Sequence, residues 1–166
     1  MKQEPMRVLQ VSEKNARLLY KVCPDELKTV LEDSFGKEFL SKIDKIESYE
    51  DACIVNGESP IYYTEIAKCD SVQLTSDEII YRQLKTITKA INKGRVPNML
   101  DTSEKKWFPV FKVDPASPSG FVFHSSSYDT AYAYAGYASR LCFGTEAEAD
   151  YAGETFTEIY SGIIIE

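Results

Sequence analysis

The hydrophobic period of this chain changes once, close to residue 106, and that change limits the folds open to it. Before this point, apolar side chains recur every three or four residues, as they do on one face of a helix. After it, residues 107–113 and 120–124 are rich in aromatic and β-branched side chains and flank a turn-forming segment at 114–120. The sequence therefore predicts an α+β fold with a helical N-terminal half and an antiparallel sheet in the C-terminal half.

The segment 77–94 has the clearest helical pattern. Ser76 is its predicted N-cap, and the helix is predicted to end at Lys93, directly before Gly94. An apolar stripe runs beside a basic stripe that consists of Arg82, Lys85, Lys89 and Lys93. This spacing predicts an amphipathic helix with a basic outer face. Residues 1–57 are predicted to be a helical N-terminal part, and residues 58–76 a loop.

Residues 106–166 are predicted to form a β-meander of three to four strands packed by one C-terminal helix. Pro109 confines the first strand to a sheet edge or to its own beginning. Residues 131–135 alternate between alanine and tyrosine, which suits either a fourth strand or a recognition loop. Thr145 and Glu148 form the capping box of the last helix. The three other strand candidates are 107–113, 120–124 and 139–143.

Length and hydropathy indicate one soluble domain over residues 1–166. A chain of this length buries enough surface to fold without disulfides or metal ions. It has no run of 18 apolar residues and no apolar N-terminal segment. These features predict neither a membrane span nor a secretory signal, and therefore a cytoplasmic protein.

The net charge of -7 hides three blocks of different sign. Residues 1–80 and 113–166 are acidic, whereas residues 81–112 carry eight basic and two acidic side chains. Such a positive island is either a partner site or is neutralised within the fold by its acidic flanks. Internal neutralisation is the preferred interpretation.

No residue pattern predicts catalysis, a metal site or a cofactor. The four cysteines contain no C-x-x-C pair, and the single histidine, His124, cannot complete a zinc site with them. Cys53 and Cys142 lie among apolar neighbours and are expected to be small buried side chains. His124 precedes three serines but lacks a nucleophile elbow, and there is no glycine-rich phosphate loop. An enzyme acting on a small molecule is therefore only the third hypothesis for function.

Five segments resemble a group of small uncharacterised proteins of bacteriophages, prophages and mobile elements of gut-type bacteria. They are LEDSFGKE at 31–38, YEDAC at 49–53, WFPVF at 107–111, SRLCF at 139–143 and ADYAG at 149–153. The resemblance covers most of the chain outside residues 54–76. It implies a phage-type accessory protein in the cytoplasm of a bacterial host, or associated with a virion, and implies no catalytic residues.

Two binding hypotheses remain. The first is a non-catalytic protein-binding module that uses the tyrosines clustered at 128–137, since tyrosine offers a large rigid contact area with a hydroxyl group. These tyrosines are Tyr128, Tyr132, Tyr134 and Tyr137. The alternative is nucleic-acid binding, with tyrosines or Trp107 stacking on bases and a basic helix contacting phosphates. The residues of this alternative are Arg82, Lys85, Lys89, Lys93 and Arg95.

Arg140 is a charged residue in a predicted strand that continues with the apolar residues Leu141, Cys142 and Phe143. Strand alternation would place it opposite Leu141, beside the acidic last helix. An ion pair with that helix is the preferred interpretation of Arg140, and an anion contact is the alternative.

Overall fold

The structure is a computed structural model that describes residues 11–41, 45–60, 74–131 and 139–164. The chain divides into two compact units, 1–44 and 45–166. The first contains α1 (Glu13–Val22), α2 (Asp25–Phe35) and α3 (Lys37–Ser41). The second contains α4 (Tyr49–Asn56), α5 (Ser76–Ile91), β1 (Lys106–Val113), β2 (Phe121–Asp129), a 3-10 turn (Ser139–Leu141), α6 (Glu146–Thr155) and α7 (Thr157–Ile164). That the units act as one domain stays a prediction.

In the first unit, three helices pack around a small apolar core. Ser12 caps α1 by accepting a hydrogen bond from the Asn15 N–H at 3.3 Å. The core consists of Ala16, Leu31 and Leu40, all buried. Each helix contributes one of these side chains, and tertiary packing of this kind is what stabilises such short helices.

The second unit is organised around α5. The helix begins one residue earlier than predicted, because Thr75 is its N-cap and the Glu78 carboxylate accepts the Thr75 N–H at 2.9 Å. Its apolar face is buried against the other elements of the unit as the period predicted. The main core comprises Leu84, Ile87, Ile91, Tyr49, Cys53, Phe143, Ala149, Ala152, Phe156 and Tyr160 with their immediate neighbours.

The sheet of the second unit has two antiparallel strands in the described residues. Lys106 pairs with Asp129 at one end and Val113 with Phe121 at the other. The register shifts between Val110 and Phe111, so that His124 is the extra residue of a β-bulge. The predicted hairpin is therefore present, and its second strand continues to Asp129, through what the sequence indicated was a polar connection.

The predicted third strand at 139–143 is wrong. The segment forms a 3-10 turn at Ser139–Leu141, and only Phe143 bridges to Trp107 of β1. Trp107 and Phe143 exchange both backbone hydrogen bonds, at 3.0 and 2.7 Å. The next pair of this ladder would need an N–H from Pro109, which has none. The ladder therefore stops after one bridge, and the possible fourth strand at 131–135 falls largely outside the described residues.

The C-terminal helix packs on the sheet but is two helices rather than the one predicted. The capping box is present, with the Glu148 N–H donating to Thr145 Oγ1 at 3.2 Å and the Thr145 N–H to Glu148 Oε2 at 3.1 Å. Phe156 leaves helical geometry with φ -115° and ψ 24°, which separates α6 from α7. The Thr157 hydroxyl donates to the Gly153 carbonyl at 2.6 Å at this break. The break between the two helices therefore falls at a residue that is itself buried.

Lys106 is a buried cation at the beginning of β1. Only 2% of its surface is exposed, and its ammonium group donates to the backbone carbonyls of Asp101 and Thr130, the latter at 3.0 Å. These bonds satisfy a charge that would be costly to bury alone. They tie the loop before β1 to the residue after β2.

Replacing Gly153 by alanine is expected to destabilise the protein, although alanine normally favours a helix over glycine. A Cβ at Gly153 would come within 2.5 Å of the Phe123 ring and 2.9 Å of Pro109 Cβ, and neither neighbour yields easily. We expect a loss of about 1–2 kcal/mol of unfolding free energy in urea denaturation. Gly162→Ala is the matched control, because its added Cβ meets only the terminal Ile80 methyl, which can rotate away. Equal effects of both substitutions would contradict this packing argument.

Candidate functional site

Basic side chains surround a concave cavity of about 360 Å³ at the C-terminal end of α5. Its wall is formed by the last turns of the helix, the loop that follows and the 3-10 turn. We define this basic cavity by Lys85, Thr88, Lys89, Asn92, Arg95 and Arg140. Thr88, Lys89 and Asn92 follow Lys85 by three, four and seven residues, which places them on one face of α5, whose C-cap residue is Asn92.

Asn92 connects the two walls of the basic cavity. Its side-chain amide donates to the Cys142 carbonyl at 2.8 Å and accepts the Gly144 N–H at 3.3 Å. Asn92 is 5% exposed, so these bonds are largely shielded from water. They bring the segment that carries Arg140 against the end of α5.

Arg95 crosses the backbone at Gly144, where a side chain would leave no room. A Cβ there would overlap the guanidinium group, and even Arg95 Nε would lie only 2.9 Å away. The guanidinium donates to Glu104 Oε1 at 2.6 Å, and Glu104 Oε2 accepts the Asn98 N–H, also at 2.6 Å. The glycine and the carboxylate together hold Arg95 at the cavity.

Glu58 is the second carboxylate beside the basic cavity. It accepts from the Lys89 ammonium at 2.6 Å and from the Thr86 hydroxyl at 2.9 Å. Burial raises the pKa of Glu58, but these hydrogen bonds outweigh it and leave the pKa below its ordinary value. Within the described residues, neither Lys85 nor Arg140 has a carboxylate at ion-pair distance. Among the described residues, two cations of the cavity therefore lie outside any ion pair.

Thr88 adds an unsatisfied polar group to the same wall. The residue is 1% exposed, and its Oγ1 has no hydrogen-bond partner within the described structure. Buried hydroxyl groups are normally paired, and a threonine in a helix usually reaches the carbonyl four residues earlier. The Thr88 hydroxyl therefore keeps an unused hydrogen bond in a residue that lines the cavity.

A larger cleft of about 680 Å³ lies elsewhere on the second unit. We define this acidic cleft by four glutamates, Glu47, Glu50, Glu154 and Glu158, and three aromatic residues, Phe121, Phe123 and Phe156. Ser48 caps α4 through the Asp51 N–H at 3.1 Å, which places two glutamates at that helix start. The break at Phe156 places the other two on either side of the α6–α7 junction. No Lys or Arg of the described residues lines the cleft.

The structure brings together three of the five basic residues predicted to contact nucleic acid. Lys85, Lys89 and Arg95 line the basic cavity, whereas Arg82 and Lys93 do not. The two carboxylates that neutralise Lys89 and Arg95 come from neighbouring loops, not from the acidic last helix.

For two residues of the basic cavity the sequence prediction fails: the prediction for Arg140 differs from the structure, and Thr88 was not predicted at all. The ion pair predicted for Arg140 with the last helix is absent from the described residues, because Arg140 lies in the 3-10 turn and not in a strand. Thr88 was not predicted as a site residue, because the sequence offers no sign of its role except its position three residues after Lys85.

Of the four tyrosines in the protein-binding hypothesis, the structure describes Tyr128. Tyr128 is 45% exposed, and its ring centroid lies 4.7 Å from that of Trp107. The Lys105 ammonium lies 4.2 Å from the Tyr128 ring, within cation–π distance. Tyr132, Tyr134 and Tyr137 lie outside the described residues. The protein-binding role of this cluster stays a prediction.

The acidic cleft was not predicted, because it is assembled from four separate segments. The sequence signal was the concentration of glutamates near the chain's C-terminal end, which indicates charge but not a concave surface.

In the part of the chain that the structure describes, no group of three His, Cys, Asp or Glu side chains is arranged to hold a metal ion. None of the described helices is long and apolar enough to span a membrane.

Comparisons with known proteins do not add a relative. No protein-family model, no curated protein sequence and no solved structure matches this chain. The case for function therefore rests on the cavities and on the side chains that line them.

The buried cysteines are expected to resist alkylation. Burial raises the pKa of both Cys53 and Cys142 to about 11, so that only about a thousandth of either thiol is ionised at pH 8. Mass spectrometry of peptides after iodoacetamide treatment should show Cys23, which is partly exposed, modified well before both. The rate at the buried pair should rise with pH up to about 11. Unfolding in urea should abolish the difference, and equal rates in the folded protein would contradict it.

Proposed function

We propose that this chain is a non-catalytic protein-binding module whose acidic cleft receives a segment of a partner protein rich in Lys or Arg. The observation that carries the proposal is the cleft itself, which is lined by both glutamates and aromatic side chains. Aromatic surface supplies contact area, and the glutamates supply orientation and selectivity. A basic segment with interspersed apolar residues matches both.

The size of the cleft supports a peptide rather than a single ion. A volume of about 680 Å³ exceeds what one side chain fills and accommodates several consecutive residues of an extended segment. Phe121 and Phe123 belong to β2, and Phe156 is buried at the junction of α6 and α7, so the apolar lining is held by regular elements. A lining of this kind changes little on binding.

The charge of the molecule supports a cationic partner. The net charge of -7 attracts basic segments from a distance, and the four cleft glutamates concentrate that attraction locally. Glu47 lies 3.2 Å from the Lys45 ammonium, so a partner cation competes with that internal pair. Glu154 and Glu158 also line the cleft, and both are exposed.

The proposed setting follows the resemblance to phage and mobile-element proteins. We propose that the protein acts as an accessory protein in the cytoplasm of a bacterial host. A tyrosine surface around Tyr128 is a further contact region of the same binding role.

Neutralising two exposed glutamates of the cleft should weaken binding of a basic probe. The probe is a fluorescein-labelled peptide of alternating Lys and Leu, and the measurement is fluorescence anisotropy at low and at physiological salt. Glu154→Gln with Glu158→Gln should raise Kd about three- to tenfold, because each exposed charge pair contributes about 0.2–1 kcal/mol. A peptide of alternating Glu and Leu with the same length should not bind.

The matched control removes the same charge elsewhere. Glu26→Gln with Asp33→Asn changes two exposed carboxylates of α2. This control should leave the Kd within about twofold at physiological salt, because neither residue lines the cleft. Equal weakening by both double variants would show that the probe senses only net charge, and would refute the cleft as the binding site.

A further inference from the structure

We propose that the basic cavity is a binding site for one phosphoryl group, carried by a small phosphate monoester. The proposal rests on Lys85, Arg140 and Thr88, and it is independent of the acidic cleft. Their arrangement offers two cations and a hydroxyl donor within one concave wall. Phosphate oxygens accept from such donors, and they favour charge-assisted hydrogen bonds.

The unsatisfied hydroxyl of Thr88 is the observation that indicates a ligand. Its Oγ1 is buried and has no partner within the described residues, although the residue lines the cavity. A buried donor left without an acceptor costs free energy that folding must supply. A bound oxyanion would accept the Thr88 O–H and remove that cost.

The charge balance of the cavity matches a monoester. Four basic side chains line it, and two of them, Lys89 and Arg95, are already paired with Glu58 and Glu104. Lys85 and Arg140 remain without a carboxylate at ion-pair distance in the described structure. Two such cations correspond to the charge of about -1.5 to -2 that a phosphate monoester carries at neutral pH.

The shape of the cavity favours a single phosphoryl group over a nucleic-acid backbone. Its volume of about 360 Å³ suits one compact group with a small organic substituent, which Val96 and Pro97 would contact. A backbone needs a row of evenly accessible cations. Arg82 and Lys93, which would extend such a row along α5, do not line the cavity.

The wall of the cavity is preorganised for the bound group. Asn92 holds the 3-10 turn that carries Arg140 against α5 through its bonds to the Cys142 carbonyl and the Gly144 N–H. The turn that carries Arg140 is therefore fixed beside the helix that carries Lys85 and Thr88, which reduces the entropic cost of binding.

The test is thermal unfolding of the full chain with three probes at pH 7.5. These are inorganic phosphate, phenyl phosphate, and a short single-stranded DNA without a terminal phosphate, each compared with sodium chloride at equal ionic strength. With a Kd of about 1 mM, phenyl phosphate at about 10 mM should raise Tm by about 3–6 °C. Inorganic phosphate should raise Tm less, because it lacks the organic substituent, and the DNA should have no effect.

Matched variants separate the cavity from general charge. Arg140→Gln and Lys85→Gln should each weaken phenyl phosphate binding at least about tenfold, as expected for loss of a hydrogen bond to a charged group. Arg82→Gln and Lys93→Gln remove the same charges outside the cavity and should leave the Tm shift unchanged.

Thr88→Val distinguishes a ligand site from a merely structural threonine. Valine has nearly the same shape, so without probe this variant should keep or raise the Tm of the native chain. The phosphate-induced shift should fall by at least half in the same variant. A full shift in Thr88→Val would show that the hydroxyl does not contact the ligand, and would overturn the proposed site.

Two further results would overturn the proposal. No Tm shift with either phosphate probe beyond the chloride control means that the cavity does not bind a phosphoryl group. A shift with the DNA that falls steeply with salt and is lost equally in Arg82→Gln and Arg140→Gln means that α5 binds a nucleic-acid backbone instead. Neither result affects the acidic cleft, whose probe and variants are different.

Discussion

The arrangement of the second unit depends on the two hydrogen bonds of the Asn92 side-chain amide. This amide joins the end of α5 to the segment at 142–144, and the bridge between Phe143 and Trp107 joins the same segment to β1. Three elements distant in sequence therefore meet through backbone groups that one buried side chain satisfies. Because an amide presents both a donor and an acceptor, aspartate could not make both contacts, and leucine would leave a buried carbonyl and N–H unpaired. The basic cavity exists because this junction brings the 3-10 turn beside the helix.

Local signals in the sequence predicted the helices well, since caps and hydrophobic period are encoded within a few residues of each other. The capping box at Thr145 and Glu148 is present, and α5 differs from its prediction by one or two residues at each end. The strand prediction at 139–143 was wrong because it weighed composition over hydrogen bonding. Pro109 is the residue that explains the difference. It lies on the edge of β1 where Phe143 pairs with Trp107, and it lacks the backbone N–H that the next pair would need. The proline that marks β1 as an edge strand therefore also excludes residues 139–143 as a paired third strand.

The candidate sites divide in the same way. Lys85 and Lys89 were predicted because they follow a helical spacing, whereas Arg140 joins them only through tertiary contacts that no local pattern reveals. Thr88 could be assigned a place on the helix face from the sequence, but its lack of a partner is a property of the folded environment. The acidic cleft could not be predicted from the sequence for a different reason. Its glutamates come from the start of α4 and from both sides of the α6–α7 junction, and one uninterrupted C-terminal helix was predicted there.

The two sites also show why net charge is a poor guide to what this chain binds. Gln83 lines the acidic cleft and Lys85 lines the basic cavity, so one helix contributes to surfaces of opposite sign. At physiological ionic strength a charge acts over about 8 Å in solvent, so an anion inside the basic cavity interacts mainly with the groups that line it. The average of -7 governs the approach of a partner from a distance, where it favours cations. Selectivity at close range depends instead on the charges that line each opening: glutamates at the acidic cleft, and Lys85 with Arg140 at the basic cavity.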